Sequence, residues 1–250
     1  MSIPGIEIFR CYDEHGPIRV FENGSHRYLA FGDDAHQSCI NMLQPTRLSY
    51  EYTQAMMLAL LYSPKPQQVT LLGLGAGSLV HSFYRYDPKI VLNVVELREK
   101  VADVAKEWFA LPSFSGLSLH IQDACDYMAS QPHKSDLILT DIYNNDGMIE
   151  SQLSPTFLKD CFENLTEFGI LILNLWEQGG GAHPLALQRI RDHFGEHNMS
   201  CLIEDGNLIV LAFKGGLPQI NNRRLQPIAK QLAKKLDIPI LKLLQRLNAV

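Results

Sequence analysis

Val69-Thr70-Leu71-Leu72-Gly73-Leu74-Gly75-Ala76-Gly77-Ser78-Leu79-Val80 joins a short apolar run to three alternate glycines and then to a stretch with helical periodicity that reaches Tyr86. A buried strand entering a tight turn and leaving it as a helix has this order of residues. Gly73, Gly75 and Gly77 let the backbone turn sharply and approach a bound molecule closely. The helix beginning at Ser78 offers unpaired N–H groups to polar ligand atoms.

Downstream of the loop, strands are expected at 91–95, 117–121, 137–140, 170–175, 201–203 and 208–213, and helices at 100–109, 155–168 and 186–194. Such alternation builds an α/β fold with a mostly parallel sheet and helices on both faces. Glu204-Asp205-Gly206-Asn207 is a turn-rich link that makes the last strand antiparallel. A parallel sheet ending in this way is similar to the class I methyltransferase (Rossmann-like) fold. Upstream, Ile18, Val20 and Phe21, the turn signal Asn23-Gly24 and the run 28–31 form an N-terminal β-hairpin, and 50–62 reads as an apolar helix ended by Pro64 and Pro66. Leu225, Ile228, Leu232 and Leu236, and then Leu241, Leu244 and Leu247, recur at helical spacing on either side of Pro239. The chain therefore divides into an N-terminal extension, 1–66, a nucleoside-binding domain, 67–215, and a basic helical tail, 216–250.

Two carboxylates accompany the glycine loop. Glu96 ends the strand after it, 23 residues beyond Gly73, where an acidic side chain accepts both ribose hydroxyls. Asp123, followed by Ala124, ends the third strand, where a carboxylate accepts an exocyclic adenine amine; it also suits the N-cap of a helix over 125–131. A dinucleotide loop reads G-x-G-x-x-G. This one reads G-x-G-x-G, closer to that of S-adenosylmethionine-type enzymes, and no basic residue in it waits for a pyrophosphate.

Composition narrows the partners. The net charge of −5 is uneven: residues 221–250 carry seven Lys/Arg and one acidic residue, whereas the other 220 carry 15 basic and 26 acidic. An acidic body disfavours nucleic acid and suits a small cationic substrate. Five scattered cysteines without a C-x-x-C pair fit reduced thiols and a cytoplasmic protein. No apolar run approaches the ~18 residues of a membrane span, and residues 1–10 lack a leader's basic start and apolar core. The nine histidines show no metal-ligand spacing, so no metal is expected. Ser38 and Ser78 have no His–Asp support for a hydrolase triad. His183, in the Gly-rich stretch after Trp176, sits in a connection that could close over a pocket.

From about Gly16 to Gly215 the chain resembles the spermidine synthase (polyamine aminopropyltransferase) family. The resemblance rests on the hairpin, Arg27-Tyr28-Leu29 leading to Gln37-Ser38, the helix around Tyr52, the glycine loop, Glu96, Asp123-Ala124, Asp141 after the fourth strand, Leu153-Ser154-Pro155-Thr156-Phe157 and Gly169-Ile170-Leu171. Asp141-Ile142-Tyr143 with Asp146-Gly147 is similar to the divergent bacterial branch. The resemblance implies a decarboxylated S-adenosylmethionine donor and a polyamine acceptor. Gln37, Gly73, Gly75, Gly77, Glu96, Asp123 and Ala124 would hold the donor. Asp141 would assist the attacking amine, with Tyr143 and Asp146 shaping its pocket. By analogy with dimeric synthases it also implies a homodimer.

Three departures keep other readings open. Ala76 stands where the synthases carry the aspartate that holds the donor's aminopropyl ammonium. Its methyl removes that contact, and also the repulsion that would exclude the carboxylate of ordinary S-adenosylmethionine. Tyr52-Thr53-Gln54 lacks the family's His-Glu pair, and Asn144-Asn145-Asp146 replaces the aspartate–proline end of the catalytic loop. A methyltransferase using S-adenosylmethionine is thus one alternative, and a non-catalytic nucleoside-binding protein another.

Overall fold

The computed structural model describes residues 4–32, 36–131, 133–144, 147–148, 150–176, 184–204, 206–218 and 222–250. It opens with four antiparallel strands in sequential order: β1 (Ile6–Asp13), β2 (Gly16–Asn23), β3 (His26–Phe31) and β4 (His36–Asn41). The expected hairpin is the central pair, closed at Asn23 opposite His26. The mixed sequence of β1 conceals a strand. On it Glu7 bonds both Arg10 and Arg19, the latter on β2.

Next come α1 (Glu51–Met56), a 3₁₀ turn (Met57–Leu61), β5 (Gln68–Leu72), α2 (Ser78–Tyr86), β6 (Val91–Glu96), α3 (Glu99–Trp108), β7 (Leu117–Ile121), α4 (Ala124–Ser130) and β8 (Ser135–Thr140). Two-residue strands β9 (Tyr143–Asn144) and β10 (Gly147–Met148) precede α5 (Pro155–Asn164), β11 (Leu165–Trp176), α6 (Pro184–Phe194), β12 (Asn198–Leu202), β13 (Asn207–Phe213), α7 (Asn222–Leu236), α8 (Ile240–Leu244) and β14 (Leu247–Ala249).

The main sheet runs β14-β12-β13-β11-β8-β5-β6-β7. Strands β11, β8, β5, β6 and β7 are parallel neighbours, and β13 is antiparallel to both β11 and β12, as the turn-rich link predicts. Two differences from the sequence reading bear on the sheet. The helix expected to reach 168 stops at Asn164, because Leu165 pairs with Ser135 and the ladder then shifts register before Ile170. Leu247, read as helical, lies instead in β14, which covers the otherwise open edge of β12 with Leu247 opposite Cys201.

Helices α1, α2, α7 and α8 pack one face of this sheet around Met57, Leu60, Phe83, Leu232 and Leu243; α4, α5 and α6 pack the other around Met128, Phe157, Leu158 and Ile190. Of the periodic residues of α7, Leu225, Leu232 and Leu236 are buried and Ile228 is half-buried, so the exposed Arg224, Lys230, Lys234 and Lys235 lie on the outer face of a core helix. A third apolar cluster joins the N-terminal sheet to α3: Ile18, Val20, Leu29, Ile40, Ala76, Val101, Val104 and Phe109. Strand order reverses between β5 and β8, and ligands of open α/β sheets bind at the carboxyl ends of strands on either side of such a point.

Candidate functional site

The carboxyl ends of β8, β5, β6 and β7 lie side by side and carry Asp141, Gly73, Glu96 and Asp123 in that order. Backbone bonds fix the row. The Asp141 N–H donates to Leu72 O at 2.8 Å, Gly73 N–H to Val95 O at 2.8 Å, and Gln122 N–H to Glu96 O at 3.0 Å. Gly73 turns through φ +100°, and a Cβ there would collide with the Asp141 carbonyl. Gly77 adopts φ +84° and starts α2, its N–H donating to Leu74 O at 2.9 Å. At Gly75 an added Cβ would lie 2.5 Å from the Ser38 hydroxyl, so β4 of the N-terminal sheet closes directly on the loop.

Glu96 is 8% exposed and already braces that loop. One carboxylate oxygen accepts the Leu74 N–H at 3.1 Å, the other the Arg98 N–H at 3.0 Å. Burial raises its pKa, and these bonds oppose the rise. The Gly75 N–H also hydrogen-bonds this carboxylate, which keeps acceptor capacity for a hydroxyl beyond these main-chain bonds. Asp123 caps α4 through a single oxygen, Oδ1, which accepts the N–H groups of Cys125 at 2.7 Å and Asp126 at 3.2 Å. The carboxylate, which also hydrogen-bonds the Cys125 thiol, is exposed, so capping and amine recognition are compatible. Ala124 begins α4 and packs against the α4–α5–α6 cluster. Leu97, next to Glu96 in the chain, and Ile121, two residues before Asp123, are 44% and 45% exposed.

The Asp141 side holds a different construction. Its carboxylate accepts the Tyr52 hydroxyl of α1 at 3.3 Å and the Asn174 amide of β11 at 2.9 Å. Asn174, buried, accepts the Asn207 amide of β13 at 2.8 Å, and its backbone carbonyl accepts the Tyr143 hydroxyl at 3.1 Å. Desolvation pushes the pKa of Asp141 up, while the bonds from Asn174 and Tyr52 pull it back. Burial and the neighbouring Asp141 charge push both Tyr52 and Tyr143 up, so both remain hydrogen-bond donors at neutral pH. Tyr50 stacks on Tyr52 with ring centroids 5.8 Å apart.

Asp141 and Tyr143 thus meet through Asn174, whose importance sequence reasoning missed. Its one signal was a polar residue inside the otherwise apolar run Ile170-Leu171-Ile172-Leu173-Asn174-Leu175, since a buried amide needs partners. Gln37 lies on β4 beside Ser38, but its side chain falls outside the described residues, as does Asp146. Gly179 to His183 and the side chain of Trp176 also fall outside them. Ala76 is fully buried among the apolar residues that join the N-terminal sheet to α3.

Comparison with known proteins agrees with this geometry. Residues 50–178 match the model of the spermine/spermidine synthase domain. A polyamine aminopropyltransferase of Neisseria meningitidis is 29% identical over 236 residues, spanning 93% of this chain and 89% of that protein. The human eEF1A lysine and N-terminal methyltransferase is 31% identical over 147 residues, 51% of this chain but 21% of that protein. In fold, a probable spermidine synthase of Corynebacterium glutamicum superposes with a TM-score of 0.74 at 18% identity, covering 94% of this chain and 87% of that one. The chain is a member of the spermine/spermidine synthase family.

Proposed function

We propose that this protein transfers an aminopropyl group from decarboxylated S-adenosylmethionine to a polyamine amine. The observation that carries the reading is the place of Asp141: one residue past β8, against Gly73 of the nucleoside loop, with its carboxylate held by Tyr52 and Asn174. The full-length likeness to a protein named polyamine aminopropyltransferase supports it.

In this reading Glu96 takes the ribose hydroxyls, Asp123 the adenine amine, and Leu97 and Ile121 the apolar faces of the base. Gln37 would complete the donor site, and Asp146 the acceptor pocket. An alkylammonium has an unperturbed pKa near ~10.4, so freeing its lone pair at pH 7 costs roughly 4 to 5 kcal/mol. The Asp141 carboxylate orients the amine and accepts its proton. The nitrogen lone pair forms the new C–N bond as the C–S bond of the sulfonium breaks. Methylthioadenosine leaves, and the proton passes through Asp141 to solvent. The stacked pair Tyr50 and Tyr52 offers aromatic faces to a cationic chain.

Ala76 favours a second reading, methyl transfer from S-adenosylmethionine. Its methyl lies in an apolar cluster and supplies no carboxylate to an aminopropyl ammonium. Incubation with each donor together with putrescine or spermidine separates the two. Methylthioadenosine as product establishes aminopropyl transfer, and S-adenosylhomocysteine establishes methyl transfer. Release of neither, with both nucleosides binding, leaves a non-catalytic binding protein.

A further inference from the structure

Between the N-terminal sheet and the ribose-side carboxylate lies a buried ion pair that the transfer chemistry does not use. Arg98 and Asp13 have side chains only 8% and 10% exposed. The guanidinium donates through Nε to Asp13 Oδ2 at 2.9 Å and through Nη2 to Asp13 Oδ1 at 2.7 Å, and Nη2 also reaches Gly16 O at 2.9 Å. Its carbon lies 4.7 Å from the centre of the Phe31 ring on β3. The fork therefore grips the turn between β1 and β2 at both ends and rests on a third strand. A bidentate, aromatic-backed arginine has little freedom to move.

The backbone of this same residue serves the donor side. The Arg98 N–H donates to Glu96 Oε1 at 3.0 Å, and its carbonyl accepts the N–H of Val101 in the first turn of α3. Glu96 in turn bonds Leu74 of the glycine loop, and that loop meets Ser38 of β4 at Gly75. The connections form a closed ring: N-terminal sheet, Arg98, Glu96, glycine loop, and N-terminal sheet again.

We infer that Arg98, clamped by Asp13, is a positioning residue for donor binding: it fixes the Glu96 carboxylate and sets the N-terminal sheet against the glycine loop. The inference rests on the nucleoside reading of that site. It gives the N-terminal sheet a task beyond covering α3, because the sheet becomes a wall whose placement sets affinity for the nucleoside. The bonds of the clamp run to Glu96, Asp13 and Gly16, so it acts on donor binding rather than on proton transfer.

The test uses the full chain with Asp13→Asn, which keeps the shape of the side chain and removes its charge. Calorimetry with methylthioadenosine should show Kd raised by about fivefold or more, the lower end of coupling between linked sites. Steady-state kinetics should show the donor KM rising while kcat and the acceptor KM stay near those of the unaltered chain. Arg19→Gln, which breaks the separate Glu7–Arg19 pair of the same sheet, should leave Kd unchanged and so control for a general loosening. An Asp13→Asn protein that binds methylthioadenosine like its parent, or an Arg19→Gln protein equally impaired, overturns the clamp. Should Asp13→Asn fail to fold, Arg98→Lys takes its place, keeping the charge but losing the fork. It should raise Kd and the donor KM in the same way, and normal binding by that variant overturns the clamp equally. An unaltered chain that binds no methylthioadenosine refutes the nucleoside reading itself and takes this inference with it, a result distinct from a variant that binds normally.

Discussion

The two halves of the candidate site are built from different materials. The half toward Gly73, Glu96 and Asp123 is made of backbone: three glycines with positive φ, and two carboxylates that each already hold main-chain N–H groups. The half around Asp141 is made of side chains from four elements, α1, β9, β11 and β13, that converge on one carboxylate and its amide partner. Backbone recognition suits a rigid nucleoside that must be held in one orientation. A desolvated carboxylate with tunable partners suits a group that exchanges a proton. A substitution in the first half should therefore register as lost binding, and one in the second as lost turnover with binding intact.

Asp141→Asn should show this division most strongly. It keeps the size of the side chain but cannot take the amine's proton, so kcat should fall by about 10²- to 10⁴-fold, the range of general base catalysis. Methylthioadenosine affinity should stay within about twofold, since that ligand makes no use of the proton acceptor. Parallel turnover and calorimetry check both. A comparable loss of nucleoside affinity would merge the two halves into one.

Gly73→Ala probes the opposite half. The new Cβ meets the carbonyl of Asp141, whose N–H is bonded to Leu72 O, at a φ of +100°. The backbone strain alone is about 1–3 kcal/mol, and the glycine loop must shift to relieve the clash. We expect a lower Tm and loss of methylthioadenosine binding. Gly77→Ala is the informative companion. It too has a positive φ, but its Cβ meets a terminal methyl of Leu111, which can rotate away. It should bind more tightly than Gly73→Ala, and the reverse order would mean that the close approach to Asp141 is not what requires glycine.

The difference between the halves also explains what is legible in the sequence. Glycines at alternate positions after an apolar run, and carboxylates at strand ends, leave local marks, so Gly73, Gly75, Gly77, Glu96 and Asp123 stand out by spacing. The parallel sheet and its antiparallel last strand are readable because alternation and turn composition are likewise local. Asn174, Asn207 and Arg98 leave almost no mark, because their roles depend on which distant element folds against them: Asn207 lies 33 residues from Asn174, and Asp13 lies 85 from Arg98. Strand β14 escapes for the same reason. Leu247 continues a helical spacing, and only the open edge of β12 turns it into a strand.

Tyr52→Phe tests the finest feature, the tuning of Asp141. The Tyr52 hydroxyl donates to Asp141 at 3.3 Å and lowers a pKa that desolvation raises, whereas the Asn174 amide does the same at 2.9 Å. Removing the hydroxyl leaves the carboxylate less well stabilised, so Asp141 holds its proton to higher pH. The acid limb of the kcat profile, where a base must lose its proton to work, should then move to higher pH. Plateau kcat should fall only about two- to tenfold, because at 3.3 Å this bond is longer than a full-strength one to a carboxylate. Asn174→Ala removes the shorter bond and should move the limb further in the same direction. Nucleoside affinity should remain unchanged in both. A limb that stays in place in Tyr52→Phe would mean that the tyrosine packs beside Asp141 without setting its protonation, and the second half of the site would then be tuned through Asn174 alone.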